Sequence, residues 1–220
     1  MHDIISTEEI YNDILTKIIS LEFIPGSMIS ENKICEEYNV SRSVIRNVFA
    51  RLAQIDLINV YPQRGTYVNK IDLEYLKTAL IIRVAIEKEM LYRFMKLEDK
   101  SEVIKKMEAN ISKQEKFRDE KIYVEDFKKL DEEFHKYIIL GAENNNILSM
   151  IDVYLLHISR WRNIYVASGR KLSQLIDEHK NIFNAIKENN LLKALSCMSV
   201  HIHTVEGMVG FVEEHAAYFK

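Results

Sequence analysis

Residues 41–68 read SRSVIRNVFARLAQIDLINVYPQRGTYV, and the fold of the N-terminal part turns on them. Ile45, Val48, Phe49 and Leu52 recur at spacings of three and four, which places them on one stripe of a helix. The opposite face carries Arg42, Ser43, Arg46, Asn47 and Arg51 with no acid among them, and Ser41 stands where it can cap the helix. Leu57 to Tyr61 and Thr66 to Val68 then form two short β-like runs around Pro62-Gln63-Arg64-Gly65, a hairpin turn with an arginine near its tip.

Working outward, Ile10, Ile14, Ile18 and Leu21 define an amphipathic helix that Pro25-Gly26 stops. Ser30 is placed to cap a short helix from Glu31 to Tyr38, with Ile34 and Cys35 facing inward. Helix, helix, turn, helix, hairpin is the order of a winged helix-turn-helix, assigned to residues 1–70. A helix fits the major groove of B-DNA, arginine pairs with guanine O6 and N7, and Ser or Asn reaches phosphate or adenine. Ser41, Arg42, Ser43, Arg46, Asn47 and Arg51, with Arg64 and Gly65 of the wing, are therefore the expected DNA contacts. Charge agrees: residues 1–39 carry Lys17 and Lys33 against eight acids, whereas residues 40–70 carry four arginines and Lys70 against Asp56 alone. The net charge of −3 over all 220 residues argues against a protein that coats nucleic acid indiscriminately.

With 47% hydrophobic and 29% charged residues but only 2 Pro and 6 Gly, the chain is expected to be a mainly helical globular protein. Cys35 and Cys197 have neither a CxxC spacing nor a partner set and are expected to be free buried thiols of a reducing compartment. Met1 to Ile10 carries three acids and no basic segment, and no apolar run approaches the ~18–20 residues of a membrane span. The expected location is the cytoplasm.

Residues 71–220 read as an all-helical body. Asn69 to Asp72 is the expected linker, and Asp72 caps a helix from Leu73 to about Lys96 whose stripe, Leu76, Leu80, Arg83, Glu87, Met90 and Phe94, puts Arg83 and Glu87 one turn apart on an apolar face. That pair is either a structural ion pair or includes a ligand-anchoring arginine. Further helices are expected over residues 99–118, 124–141, 147–166, 172–188 and 191–215. Asp131 and His135 share a face, His179 sits inside an apolar stripe, and His201 borders another. If the chain reverses near Asn189-Asn190, His179 and His201 each lie ~15–17 Å from the turn and come level on adjacent helices. Several uncompensated polar groups would burden one core, whereas Asp and His in this number can hold a divalent metal. His203 should point away, and His2, His157 and His215 have no comparable constellation.

The stretch Pro25-Gly26 to Glu31, with Val40-Ser41-Arg42, Ile45-Arg46, Arg51-Leu52, Leu57-Ile58 and Pro62 to Val68, resembles the DNA-binding head of GntR-type bacterial transcription regulators. It departs from them at Ser43-Val44, where the family has Thr-Pro, and at Asn47-Val48-Phe49, where it has Glu-Ala-Leu. The body is similar to the FCD effector domain of the FadR-like branch, through Arg83 to Glu87, Asp131 to His135, His179 with Ile182 and Ala185-Ile186, and Ala194, Met198 and His201. The resemblance implies a metal on Asp131, His135, His179 and His201, zinc first with nickel or manganese as alternatives, small organic acids bound beside it, and Arg83 as an anion partner. Together with a palindromic operator read by a homodimer, this makes the expected function that of a transcription regulator whose operator affinity follows a small carboxylate. The rival expectations are a metal-dependent hydrolase, for which Glu178 falls on a different helix face and no nucleophile motif is present, and a regulator with a structural or directly sensed metal.

Overall fold

Ser6 starts the first helix with a reciprocal capping box: its Oγ accepts from Glu9 N at 3.2 Å, and Glu9 Oε2 accepts from Ser6 N at 2.7 Å. The computed structural model describes residues 5–120, 124–167, 172–203 and 215–220. Helix α1 (Thr7–Ile19) buries Ile10, Ile14, Ile18 and Ile19. It stops earlier than its stripe suggests, because the chain turns at Ser20 and Leu21 adopts a φ of 69°, which sends the Leu21 side chain towards the body's core. Helix α2 (Glu31–Tyr38) is capped by Ser30 and ended by Asn39 in the left-handed region. Helix α3 (Arg42–Gln54) buries Ile45, Val48, Phe49 and Leu52, as its spacing requires. Ser41 holds the N-cap backbone position, but its hydroxyl makes no capping bond and instead lies 2.8 Å from Ser43 Oγ.

The wing contains three strands rather than two. β1 (Met28–Ile29), β2 (Ile58–Tyr61) and β3 (Gly65–Val68) form an antiparallel sheet in the order β1-β3-β2. Gln63 and Gly65 both take positive φ in the turn between β2 and β3.

The body comprises α4 (Leu73–Lys96), α5 (Ser101–Gln114) with a 3-10 turn over Glu115–Phe117, α6 (Glu125–Gly141), α7 (Asn146–Ala167), α8 (Leu172–Lys187) and α9 (Leu191–His203). The expected helix over 99–118 is thus shorter and ends in a tighter turn. Asp72 Oδ1 caps α4 through Tyr75 N, and the chain reverses between α8 and α9 at Asn189, with φ 52°. The expected run of α9 to His215 and the break at Ser168-Gly169 lie outside the described residues. So does His2. Cys35 and Cys197 are free and half-buried rather than buried.

One apolar core fills the head and another the body, and α7 lies across the seam, where Leu156 packs on the head core. Three α7 side chains reach backbone carbonyls of the head: His157 Nε2 lies 2.9 Å from Ile55 O, Arg160 Nη2 donates to Asn69 O at 2.5 Å, and Asn163 Nδ2 to Ile19 O at 2.6 Å. The linker is tied on its other side, since Ile71 N donates to Tyr218 O and Lys220 N donates to Ile71 O. Head and linker are therefore seated on the body by directed bonds.

Candidate metal centre

Three helices of the body converge on one buried point. Asp131 and His135 come from α6, His179 from α8 and His201 from α9, each at most 5% exposed, and their ligand atoms all lie within 4.8 Å of one another. The Nε2 atoms of His135 and His201 are 3.1 Å apart, those of His179 and His201 3.3 Å, and Asp131 Oδ1 is 3.5 Å from His179 Nε2. Two nitrogens bound to one zinc at its usual distance and angles stand about 3.0–3.4 Å apart, so the spacing fits the ion.

The outer nitrogens settle the tautomers. His135 Nδ1 lies 2.5 Å from Glu87 Oε2, His179 Nδ1 2.8 Å from Gln114 Oε1, and His201 Nδ1 2.9 Å from Glu178 Oε2. Each of these partners is an acceptor; Gln114 is oriented by its own donation to Asn110 Oδ1 at 2.6 Å. The three Nδ1 atoms therefore carry the protons, and three Nε2 lone pairs face a carboxylate oxygen and one another. Acceptors so placed repel unless a cation lies among them.

Protonation states follow the same logic. Burial would raise the Asp131 carboxyl, but the Arg162 guanidinium beside it holds it below the usual carboxylate range. Burial likewise opposes ionisation of Glu87, and Arg83 and His135 overcome it. Burial, reinforced by neighbouring rings, pushes His179 and His201 well below their ordinary value and keeps both neutral as ligands must be.

A cavity of about 480 Å³ opens beside the centre, with Arg83, Glu87, Asp131, His135 and Arg162 in its wall. Arg83 Nε donates to Glu87 Oε1 at 2.5 Å, which makes the structural ion pair, and Arg83 also lines the cavity. Sequence reasoning missed Arg162 of α7, whose Nη1 donates to Asp131 Oδ2. It also set Glu178 aside, although this carboxylate supports His201, and overlooked Asn110 and Gln114, two amides one turn apart on the buried face of α5. His203 is exposed, bonded to Ser199 O of its own helix.

On the head, Arg42, Ser43, Arg46, Asn47 and Arg64 are exposed, with Arg46 Nε 3.2 Å from Glu31 Oε2, and Gly65 pairs with Tyr61 across the wing. Arg51 is differently employed: it donates to both Glu8 oxygens at 2.8 and 3.2 Å and lies over the Tyr11 ring at 3.8 Å.

The FCD domain model matches residues 79–204, and the model of bacterial regulatory proteins of the gntR family matches residues 6–68. The chain belongs to the GntR family. This GntR protein is 27% identical over 214 residues to the HTH-type transcriptional repressor RspR of Escherichia coli (strain K12), covering 97% of this chain and 93% of that one. Its fold is shared with E. coli McbR/YncC, at a TM-score of 0.76 and 13% identity over 96% of this chain and 99% of the other. A GntR crystal structure from Rhodococcus sp. RHA1 gives a TM-score of 0.70 at 19% identity, covering 96% and 98%. The protein is thus a DNA-binding transcriptional regulator and not an enzyme. Among the described residues no helix is long and apolar enough to cross a membrane.

Proposed function

We propose that this GntR protein is a cytoplasmic, homodimeric regulator with a DNA-binding unit over residues 1–70 and an effector unit over residues 71–220, in which a small carboxylate bound beside a metal ion controls operator affinity. The observation that carries the reading is the set of three Nε2 lone pairs and one carboxylate oxygen aimed at a common buried point, with every Nδ1 already committed outward. Asp131, His135, His179 and His201 hold the ion, zinc first and nickel or manganese as alternatives. The ion supplies a Lewis-acid position for an anionic oxygen. Arg83 and Arg162, both in the cavity wall and both buried, flank that position with positive charge.

On the DNA side, Ser41, Arg42, Ser43, Arg46 and Asn47 of the α3 segment enter the major groove, with Arg64 and Gly65 of the wing on the flanking backbone. A dimer presents two such helices to a palindromic operator. Because α7 carries Arg162 on the site and His157, Arg160 and Asn163 on the head, one rigid element touches both ends of the switch. The acid must bind two arrangements unequally to shift them, and its effect on DNA affinity must equal the effect of DNA on its own.

The test is a titration of labelled operator with metal-loaded protein, in the presence and absence of mono-, di- and hydroxy-carboxylates. The expected outcome is an acid-dependent change in operator affinity. A single affinity at saturating acid would make the metal structural and remove the switch.

A further inference from the structure

We infer that the effector cavity takes a monocarboxylate with an apolar tail, and that the tail lies directly against the head. This rests on the carboxylate reading above and deepens it. The cavity has two unlike ends. At one end stand the metal ligands with Arg83 and Arg162. The remainder is walled mainly by hydrocarbon, with Leu15 and Ile19 of α1 and Ile55 at the end of α3 on the head side, and Leu148, Leu155 and Leu156 of α7 on the body side.

The polar groups away from the metal are largely spoken for. Lys128 and Lys136 pair along α6 with Glu125 and Glu132 at 3.6 and 3.9 Å, Ser159 Oγ donates to Glu132 Oε1 at 3.3 Å, Thr16 Oγ1 donates to Asn12 O of its own helix at 2.8 Å, the Tyr11 ring stacks on Arg51, and the Asp152 carboxylate is exposed. Along the Leu and Ile wall a polyhydroxy acid would bury hydroxyls without partners, and each unpaired buried group weakens binding. An alkyl or aryl tail loses nothing there and buries its surface. About 480 Å³ is ample for such a molecule.

The contact with α1 gives the tail a route to the DNA face. Tyr11 lines the cavity, and its ring carries the guanidinium of Arg51 of α3 at 3.8 Å. The occupant is therefore sensed by the head at its own surface as well as through α7.

The experiment is calorimetric titration of the zinc-loaded full-length protein with acetate, butyrate, hexanoate, octanoate and gluconate, repeated as operator titrations. Affinity should rise by about two- to fourfold per methylene along the alkanoate series. Gluconate, with the carbon count of hexanoate, should bind at least tenfold more weakly. Leu15→Ala/Ile55→Ala should weaken octanoate about tenfold, leave acetate unchanged, and diminish the operator response to octanoate. A flat chain-length series or tighter binding of gluconate overturns the apolar tail, and neither result depends on the variant folding. Equal losses of acetate and octanoate in the variant overturn the placement against α1. Absence of binding by all five acids instead removes the underlying carboxylate reading, which separates that failure from this one.

Discussion

The head and the body solve the burial of charge in opposite ways. Among the described residues the head core, from Ile10 on α1 to Val68 on β3, buries no charged side chain, and its ion pairs, Arg46 with Glu31, Arg51 with Glu8 and half-buried Lys17 with Asp13 and Glu37, stand outside it. The body surrounds Arg83, Glu87, Asp131, His135, Arg162, His179 and His201 with hydrocarbon, each at most 5% exposed. Taking charges out of water costs several kcal/mol per ion before pairing offsets it, and a packed apolar core would serve stability as well or better. The head's arrangement is what folding alone requires. The body's is a burden that folding does not explain, and it coincides with the point where four side chains able to hold a metal meet.

The sharpest way to break this contrast is Asp131→Ala. It removes the carboxylate to which buried Arg162 donates and one of the four ligand positions. Denaturant titration should show a loss of about 3–5 kcal/mol, the range for breaking a buried pair by removing one partner. Metal content should fall with it. A chelator should lower the melting temperature of the wild type, because an ion at a thousand times its dissociation constant adds about 4 kcal/mol to the native state, and should leave Asp131→Ala unmoved. Equal metal content in the two proteins would contradict the site.

The second prediction lies on the other side of the comparison. Arg42→Ala and Arg46→Ala should each weaken operator binding by about 1–3 kcal/mol if they reach base edges. Stability should stay within about 0.5 kcal/mol of the wild type, since these side chains are exposed. Unchanged operator affinity in a folded double variant would refute α3 as the reading helix. Arg51→Ala is the sharpening experiment: bonded to Glu8 and stacked on Tyr11, this arginine braces α3 against α1, so it should affect the operator less than Arg42→Ala does. A larger effect would return Arg51 to the DNA face.

The same contrast explains what could be read from the chain. The head follows local rules: isoleucines four apart, Ser30 three residues before the amide it caps, and a Pro-Gln-Arg-Gly turn between short β runs. Its gaps are features with no local signal, namely the two-residue β1, which is too short to alternate, and the reversal at Leu21, where a branched residue takes a positive φ. In the body, histidines on apolar faces pointed to the candidate ligand cluster, and the reversal at Asn189 brings His179 and His201 level. Their supports were harder to see. Arg162 and Glu178 are ordinary helix-formers whose direction is set by how α7, α8 and α9 cross, which no spacing within one helix encodes. Gln114 was open to the same argument as His179, being a polar side chain on the buried face of its helix.

The smallest effect should appear where the two regions meet. Burial pushes the His157 ring below its ordinary value of 6.5, outweighing the bond to Ile55 O; Arg160 presses the same way, while Asp56 and Asp72 oppose it. Below pH 6.5 the unfolded chain takes up a proton that the folded ring resists, so the folded state loses stability as the pH falls and keeps it in full above that value. One proton limits the slope to about 1.4 kcal/mol per pH unit. His157→Gln removes the titrating group, so its stability, measured metal-loaded from pH 7.5 to 5, should decline less steeply than that of the wild type by no more than this amount. His179 and His201 titrate in the same direction but are common to both proteins, and the difference between the curves isolates His157. Parallel curves would mean that the ring at the seam is not held neutral against the end of α3, and the directed contact between α7 and α3 would lose its support.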